Sequence, residues 1–200
     1  MKVGPVVANM SMSLDGFIAD PSDQVGPLFD WYGSGEVEVA FPGSQHVARL
    51  TPASAGYLRE AMDSIGALIS GRRLFDLTQG WGGSHPAGVP VFVVTHRAPE
   101  DWPHRDAPFT FVTDGVESAV VQARKVAADK VVSVASPTIT QQCLNLGLLD
   151  AIAVDLVPVL LGKGIRFFDN LAQAPVLLED PAVIEGRRVT HLYYKVRRGA

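Results

Sequence analysis

Cysteine is almost absent. The 200 residues contain one, Cys143, which excludes a disulfide framework and any cysteine-rich metal site. Charge is sparse too: 19% of residues are Asp, Glu, Lys or Arg, and the net charge is −4. That balance argues against a general nucleic-acid binder, which needs a basic surface. No apolar run is long enough to span a bilayer, and Asp155 and Pro158 interrupt the best candidate, residues 151–161. The start of the chain, Lys2 followed by Val3-Gly4-Pro5, carries no signal-peptide core. The five histidines, at 46, 85, 96, 104 and 191, lack metal-ligand spacing. There is no Gly-x-Ser-x-Gly elbow for a serine nucleophile. Gly162-Lys163-Gly164 runs on to Phe167, where a Rossmann fingerprint needs its third glycine. The expectation is a cytoplasmic protein with no metal, membrane or nucleic-acid partner, acting on a small molecule.

What is present is enough apolar matter for a core. Hydrophobic residues make up 47% of a 21.4 kDa chain. A chain of this size buries roughly 70% of its unfolded surface, so one domain over residues 1–200 needs no staple. Strand and helix patterns alternate along it, which predicts an α/β fold with a largely parallel sheet. Residues 3–10 read as a first strand, with Asp15-Gly16 as the turn after it. Residues 20–46, rich in Gly, Pro, Ser and Asp, read as a long loop. Thr51-Pro52 starts a helix with a capping hydroxyl and a proline at the first position. Residues 67–70, 89–95, 109–113 and 131–135 are buried strands, and 79–88 is a second glycine-rich loop. Asp114 and Glu117 stand at capping-box spacing before a helical stripe, and Ser136-Pro137 repeats the cap-plus-proline start. Residues 176–185 and 189–197 lie too close for a crossover helix, so they predict a C-terminal antiparallel hairpin.

Three features sit where predicted strands end, which is where open α/β sheets bind ligands. Ser70-Gly71-Arg72-Arg73 offers a glycine for close backbone approach and two guanidiniums for a phosphate. Thr95-His96-Arg97 places cationic groups suited to a 2′-phosphate. Ala135-Ser136-Pro137-Thr138-Ile139 supplies hydroxyls and helix N-terminal N–H groups for a pyrophosphate. Each alone also reads as an ordinary turn or cap. Together they outline an elongated anionic ligand such as a dinucleotide.

Longer motifs then resemble one family in order along nearly the whole chain. Ser13-Leu14-Asp15-Gly16-Phe17-Ile18-Ala19 resembles the opening motif of the dihydrofolate reductase-like superfamily. Leu68-Ile69-Ser70-Gly71-Arg72-Arg73 is similar to its second strand and cofactor turn. Leu146-Gly147-Leu148-Leu149-Asp150, then Val157-Pro158-Val159-Leu160-Leu161-Gly162-Lys163-Gly164 and Phe167-Phe168, resemble its late signature. The nearest members are the C-terminal reductase domains of the bifunctional riboflavin-biosynthesis deaminase/reductase. The resemblance implies a three-layer α/β/α fold, a central mixed, mostly parallel sheet, NADPH as hydride donor, and a homodimer. It implies a pyrimidine or pterin-like substrate, as for a 5-amino-6-(5-phosphoribosylamino)uracil reductase or a dihydrofolate reductase. On it, Ala8, Gly16 and Ile18 would frame the nicotinamide.

The departures are specific. Ala135-Ser136 stands where the family has Gly-Gly, Leu74 lacks the usual threonine hydroxyl, and Asp150-Ala151 replaces an Asp-Glu pair. They keep open a homologue that is non-catalytic or differently specialised. No zinc-deaminase motif is present, which excludes the bifunctional form within these residues. Asp15 is the candidate catalytic and substrate-positioning carboxylate, with a turn contact as its other reading; Asp30, Glu36 and Glu38 have no motif to place them. Trp31 and Trp81 are candidates to stack on a planar ring, or to cover core. Gly162, Lys163 and Gly164 are candidates for a substrate phosphate.

Overall fold

A computed structural model describes residues 3–197. Its centre is an eight-stranded sheet. In chain order the strands of the fold are β1 (Val6–Ser13), β2 (Phe17–Ala19), β3 (Val37–Ala40), β4 (Val47–Leu50), β5 (Ile65–Gly71), β6 (Val91–Val94), β7 (Phe109–Val112), β8 (Val131–Val134), β9 (Ala151–Val157), β10 (Ile165–Arg166), β11 (Ala182–Gly186) and β12 (Val189–Lys195). The helices are α1 (Pro52–Ser64), α2 (Arg72–Leu77), α3 (Val116–Ala127) and α4 (Pro137–Asn145). The large sheet runs β11-β12-β9-β1-β8-β5-β6-β7. From β9 to β7 it is parallel, and β12 and β11 add to it antiparallel. This is a three-layer α/β/α architecture with a C-terminal antiparallel hairpin, as the resemblance implies.

The period of two along each strand decides the layers. Val6, Ala8, Met10 and Met12 of β1 point into the core that α3 and α4 cover, with Ala67, Ile69, Val132, Val134, Ile152 and Val154 beside them. The opposite face of the sheet is covered in two parts. Over one half, α1 packs with Leu28, Trp31, Val39, Phe41, Ala48 and Leu50. Over the other half, Phe75 of α2 closes on Leu68, Val91 and Val93.

Two expectations need correction. Residues 20–46 are not a long loop: they hold a 3₁₀ turn at Gly26–Gly33, strand β3, and the start of the β3–β4 hairpin that ends at Leu50. The 3₁₀ turn has Pro27 as its second residue and buries Leu28 and Trp31, so its apolar residues do not follow a helical or strand period. The Asp114/Glu117 capping box does not form. Gly115, at φ 101°, takes the N-cap of α3, which leaves Glu117 at the second helical position, one short of where the box needs it. By contrast, Thr51 caps α1 through its own hydroxyl, 3.4 Å from the Ser54 N–H. The edge hairpin pairs as expected, through Gly186 opposite Val189.

Candidate functional site

Strand order brings the predicted segments to one edge. The C-terminal ends of β9, β1, β8, β5 and β6 follow one another in the sheet. They present, in that order, the Gly162 loop, the Asp15 turn, Ser136, Arg72 and Arg97. Side chains tie these loops to one another. The Asp15 carboxylate accepts from the Gly162 N–H at 2.7 Å and the Leu161 N–H at 3.1 Å. The Ser136 hydroxyl accepts from the Gly71 N–H at 2.8 Å. Arg72 Nη1 donates to the Arg97 carbonyl at 2.8 Å.

At the β5 and β6 end the charge is cationic but partnered. Arg72 Nε lies 2.8 and 2.9 Å from the two oxygens of Asp76. Arg73 reaches across to Asp23, with Nη2 2.5 Å from one carboxylate oxygen. Arg97 pairs with Glu100, and its N–H is held by the Thr95 hydroxyl at 3.3 Å. His96 is exposed, and Ser70 is buried with its hydroxyl on the Gly71 carbonyl at 3.1 Å.

At the α4 turn the expected hydroxyl array is altered. Ser136 is buried and does not cap its own helix; its Oγ is taken by Gly71. Thr138 is exposed, Pro137 and Ala135 are half-buried, and Ile139 is buried. The side chains of Ile139, Ile18 and Ala8 belong to the core beneath α3 and α4. Gly16, at φ 89°, makes the turn between β1 and β2.

Asp15 is a fastener. Besides the two loop N–H groups it accepts from the Ser13 hydroxyl at 2.6 Å. The Ser13 hydroxyl first, and less strongly the Gly162 and Leu161 N–H groups, hold its pKa below the usual carboxylate value against the opposing effect of desolvation. It is ionised at neutral pH and has no proton to give. Beside it, a Cβ on Gly164 would stand 2.0 Å from the Ala19 carbonyl oxygen, so only glycine fits where this loop crosses β2. Lys163 is exposed at the tip.

Of the two candidate tryptophans, one is core and the other packs at its margin. Trp31 is fully buried; its indole N–H donates to Ser11 Oγ at 3.2 Å and its ring packs edge-on to His191 and Tyr32. It has no ring face to offer a ligand. Trp81 is half-buried at φ 49°, edge-on to His85 and stacked over Phe109.

A polar row under α1 went unpredicted. Ser11, Asp155 and His191 are register partners across β1, β9 and β12. His191 Nδ1 lies 2.7 Å from Asp155, and Nε2 lies 3.0 Å from Ser54 Oγ. These are the residue types and the order of a hydrolytic triad. Ser54 is fully buried in the first turn of α1, so no scissile carbonyl can reach it, and the row holds the fold. Tyr57 stacks on His191 with ring centroids 4.0 Å apart. Burial and then the Asp155 carboxylate raise its phenol pKa strongly, so Tyr57 is neutral. The row leads into a cavity of about 440 Å³ between α1 and the sheet, lined by Asn9, Tyr57, Ala153, His191 and Tyr193 among others. No local pattern marks the row: its members meet only through the register of three strands.

The family model of the RibD C-terminal domain matches residues 5–183. The chain belongs to that family. In structure it is similar to a provisionally named riboflavin biosynthesis protein from Shewanella sp. PV-4, with TM-score 0.68, 21% identity, and coverage of 97% of this chain and 99% of that one. It is also similar to a diaminohydroxyphosphoribosylaminopyrimidine deaminase/5-amino-6-(5-phosphoribosylamino)uracil reductase from Thermotoga maritima, with TM-score 0.60 and 12% identity. That match covers 98% of this chain but 57% of the other. A third likeness is to dihydrofolate reductase from Enterococcus faecalis, solved with NADP(H), with TM-score 0.59, 14% identity, and coverage of 98% and 99%. No curated protein matches in sequence. The shared architecture places this RibD C-terminal domain among the dihydrofolate reductase-like folds. No helix among its described residues is long and apolar enough to cross a membrane.

Proposed function

We propose that this domain is an NADPH-dependent reductase of a small heterocyclic substrate. The observation that carries the reading is the alignment of five strand-end loops on one sheet edge, with Arg72 of one loop bonded to the main chain of Arg97 in the next. That edge fits a dinucleotide. Arg72, Arg73 and Arg97, with His96, form a cationic cluster for phosphates. Gly71 packs directly on the start of α4: a Cβ there would be in ordinary contact with Ile139 and Ser136, 3.4 and 3.5 Å away. The N-terminus of α4 lies next to it and favours an anion. NADPH bound there supplies a hydride; the protein supplies position and dryness. Asp15 keeps the Gly162 loop against the β1 turn. Because it is ionised, the proton of the reduction comes from solvent.

The same geometry sets the cost of binding. A cofactor phosphate must draw Arg72 from Asp76 and Arg73 from Asp23, and Ser136 already occupies one main-chain donor. The affinity expected is therefore modest, with NADPH above NADH. Titration of tryptophan fluorescence with each nucleotide tests this. Arg72→Ala is expected to weaken NADPH at least about tenfold, since a charged hydrogen bond is worth roughly 1.5–3 kcal/mol. Unchanged affinity in that variant would remove Arg72 from the site, and no affinity for either nucleotide would overturn the reductase reading.

A further inference from the structure

The large sheet ends differently on its two sides. β7 closes one side with Phe109, Phe111 and Val112 half-buried or buried. β11 closes the other, and its residues 182–185 are all exposed, Val183 at 51% and Ile184 at 37%. An open edge is normally guarded by charges, a proline or a bulge within it. Pro181 stands just before β11, and inside the strand Glu185 is the one charged residue. The turn into β12 decides which main-chain groups face outward. Gly186 and Val189 flank a two-residue turn and so exchange hydrogen bonds, and bonded and non-bonded pairs alternate along the hairpin. Gly186, Ile184 and Ala182 therefore bond inward to β12. The N–H and C=O groups of Val183 and Glu185 point away from the sheet, where no strand lies beside them among the described residues.

We infer that β11 docks a second copy of this chain, strand against strand and antiparallel, with Ile184 on the two-fold axis. The charges along the edge select a copy of itself. Glu179 and Asp180 precede the strand and Arg187 and Arg188 follow it, so antiparallel pairing sets the acidic end of each copy beside the basic end of the other. A two-fold axis perpendicular to the sheet keeps each face on its own side, so residues that pair must point to the same face. With Ile184 on the axis, Val183 pairs with the partner's Glu185 and Glu185 with the partner's Val183. All the outward main-chain groups are then used. With Val183 on the axis, Glu185 would meet the partner's Pro181, which has no N–H to give. The first register therefore wins. It sets the two Ile184 side chains directly opposite each other on the α1 face, where Ile184 and Ala182 flank the cavity under that helix. The inference is independent of the reductase reading, because β11 carries none of the residues assigned to the cofactor.

The test is association of the full chain in solution. Sedimentation equilibrium is expected to show a reversible dimer with a Kd of about 1–100 µM, because one short edge buries less than a standard interface. Ile184→Lys sets like charges opposite each other across the axis and is expected to raise that Kd at least about tenfold. Thermal unfolding shows whether this variant folds, and the cysteine variants decide if it does not. Those variants also read the register. In Ile184→Cys the two new thiols face each other within disulfide reach, whereas in Val183→Cys they lie diagonally, with Cα atoms more than about 7 Å apart. Oxidised with diamide, Ile184→Cys is expected to form a covalent dimer at least about tenfold faster than Val183→Cys. Cys143 stays out of that reaction, since it is buried and burial pushes its thiol up to about 12. A parent that stays monomeric at about 200 µM overturns the inference. So does Ile184→Lys associating as the parent does, or Val183→Cys cross-linking as fast as Ile184→Cys.

Discussion

Ser136 is where a single side chain governs most. A hydroxymethyl stands where the family resemblance implies glycine, and it has found a partner: the Gly71 N–H at 2.8 Å. That bond joins the β5 and β8 turns, but it also consumes a donor that would otherwise face an anion. Ser136→Gly is therefore expected to act in two directions. Removing a buried hydrogen bond costs about 1 kcal/mol of stability in urea unfolding. Freeing the Gly71 N–H tightens NADPH by up to about tenfold, read in the same fluorescence titration. Asp155 is the opposite case, a residue with a role in the fold alone. It holds His191 Nδ1 at 2.7 Å while both are buried. Asp155→Ala leaves that imidazole N–H without its acceptor under α1, and is expected to lose about 3 kcal/mol in the same unfolding experiment.

The turn between β1 and β2 shows how an element's ends are fixed from far along the chain. One carboxylate, Asp15, ties residues 13 and 15 to residues 161 and 162 through three donors. The carboxylate's folded pKa lies below its unfolded value of 3.8, so its contribution is complete above that value and is lost as pH falls through the lower folded one. Asp15→Asn cannot titrate. The parent is expected to be the more stable at pH 7, with the gap closing below about pH 4. Thermal unfolding of the two proteins across pH 2–7 measures it; a gap independent of pH would show that the charge does nothing. The element scale also shows what could be read in advance. Thr51-Pro52 announced α1 because a cap and a proline are local chemistry, complete within three residues. The turn at Gly26–Gly33 and the β3–β4 hairpin were hidden because strands of four residues and one 3₁₀ turn leave too short a period to see. Which of its two readings Trp31 takes, ring platform or core, was hidden with them: its partners, Ser11 and His191, come from other parts of the chain.

On the scale of the molecule, register assembles what the sequence scatters. Ser11, Asp155 and His191 are 144 and 36 residues apart in the chain, yet adjacent in the sheet, and no local pattern could announce them. The strand ends were legible for the converse reason. Each announces itself locally, by a glycine, a Thr-His-Arg run or a Ser-Pro step, and a parallel sheet delivers all its carboxyl ends to one side. A ligand along that side would bridge β8, β5 and β6, three neighbours in the centre and outer half of the sheet. It would therefore stabilise the whole cooperative unit rather than one loop. At a concentration one hundred times its Kd, a ligand that binds only the folded state adds about 2.7 kcal/mol. For a chain of this length that is expected to raise Tm by about 5–10 °C. NADPH should produce this rise, NADH a smaller one, and Arg72→Ala should reduce it at fixed NADPH. A rise equal for both nucleotides and unchanged in Arg72→Ala would place the dinucleotide away from the arginine end of the edge.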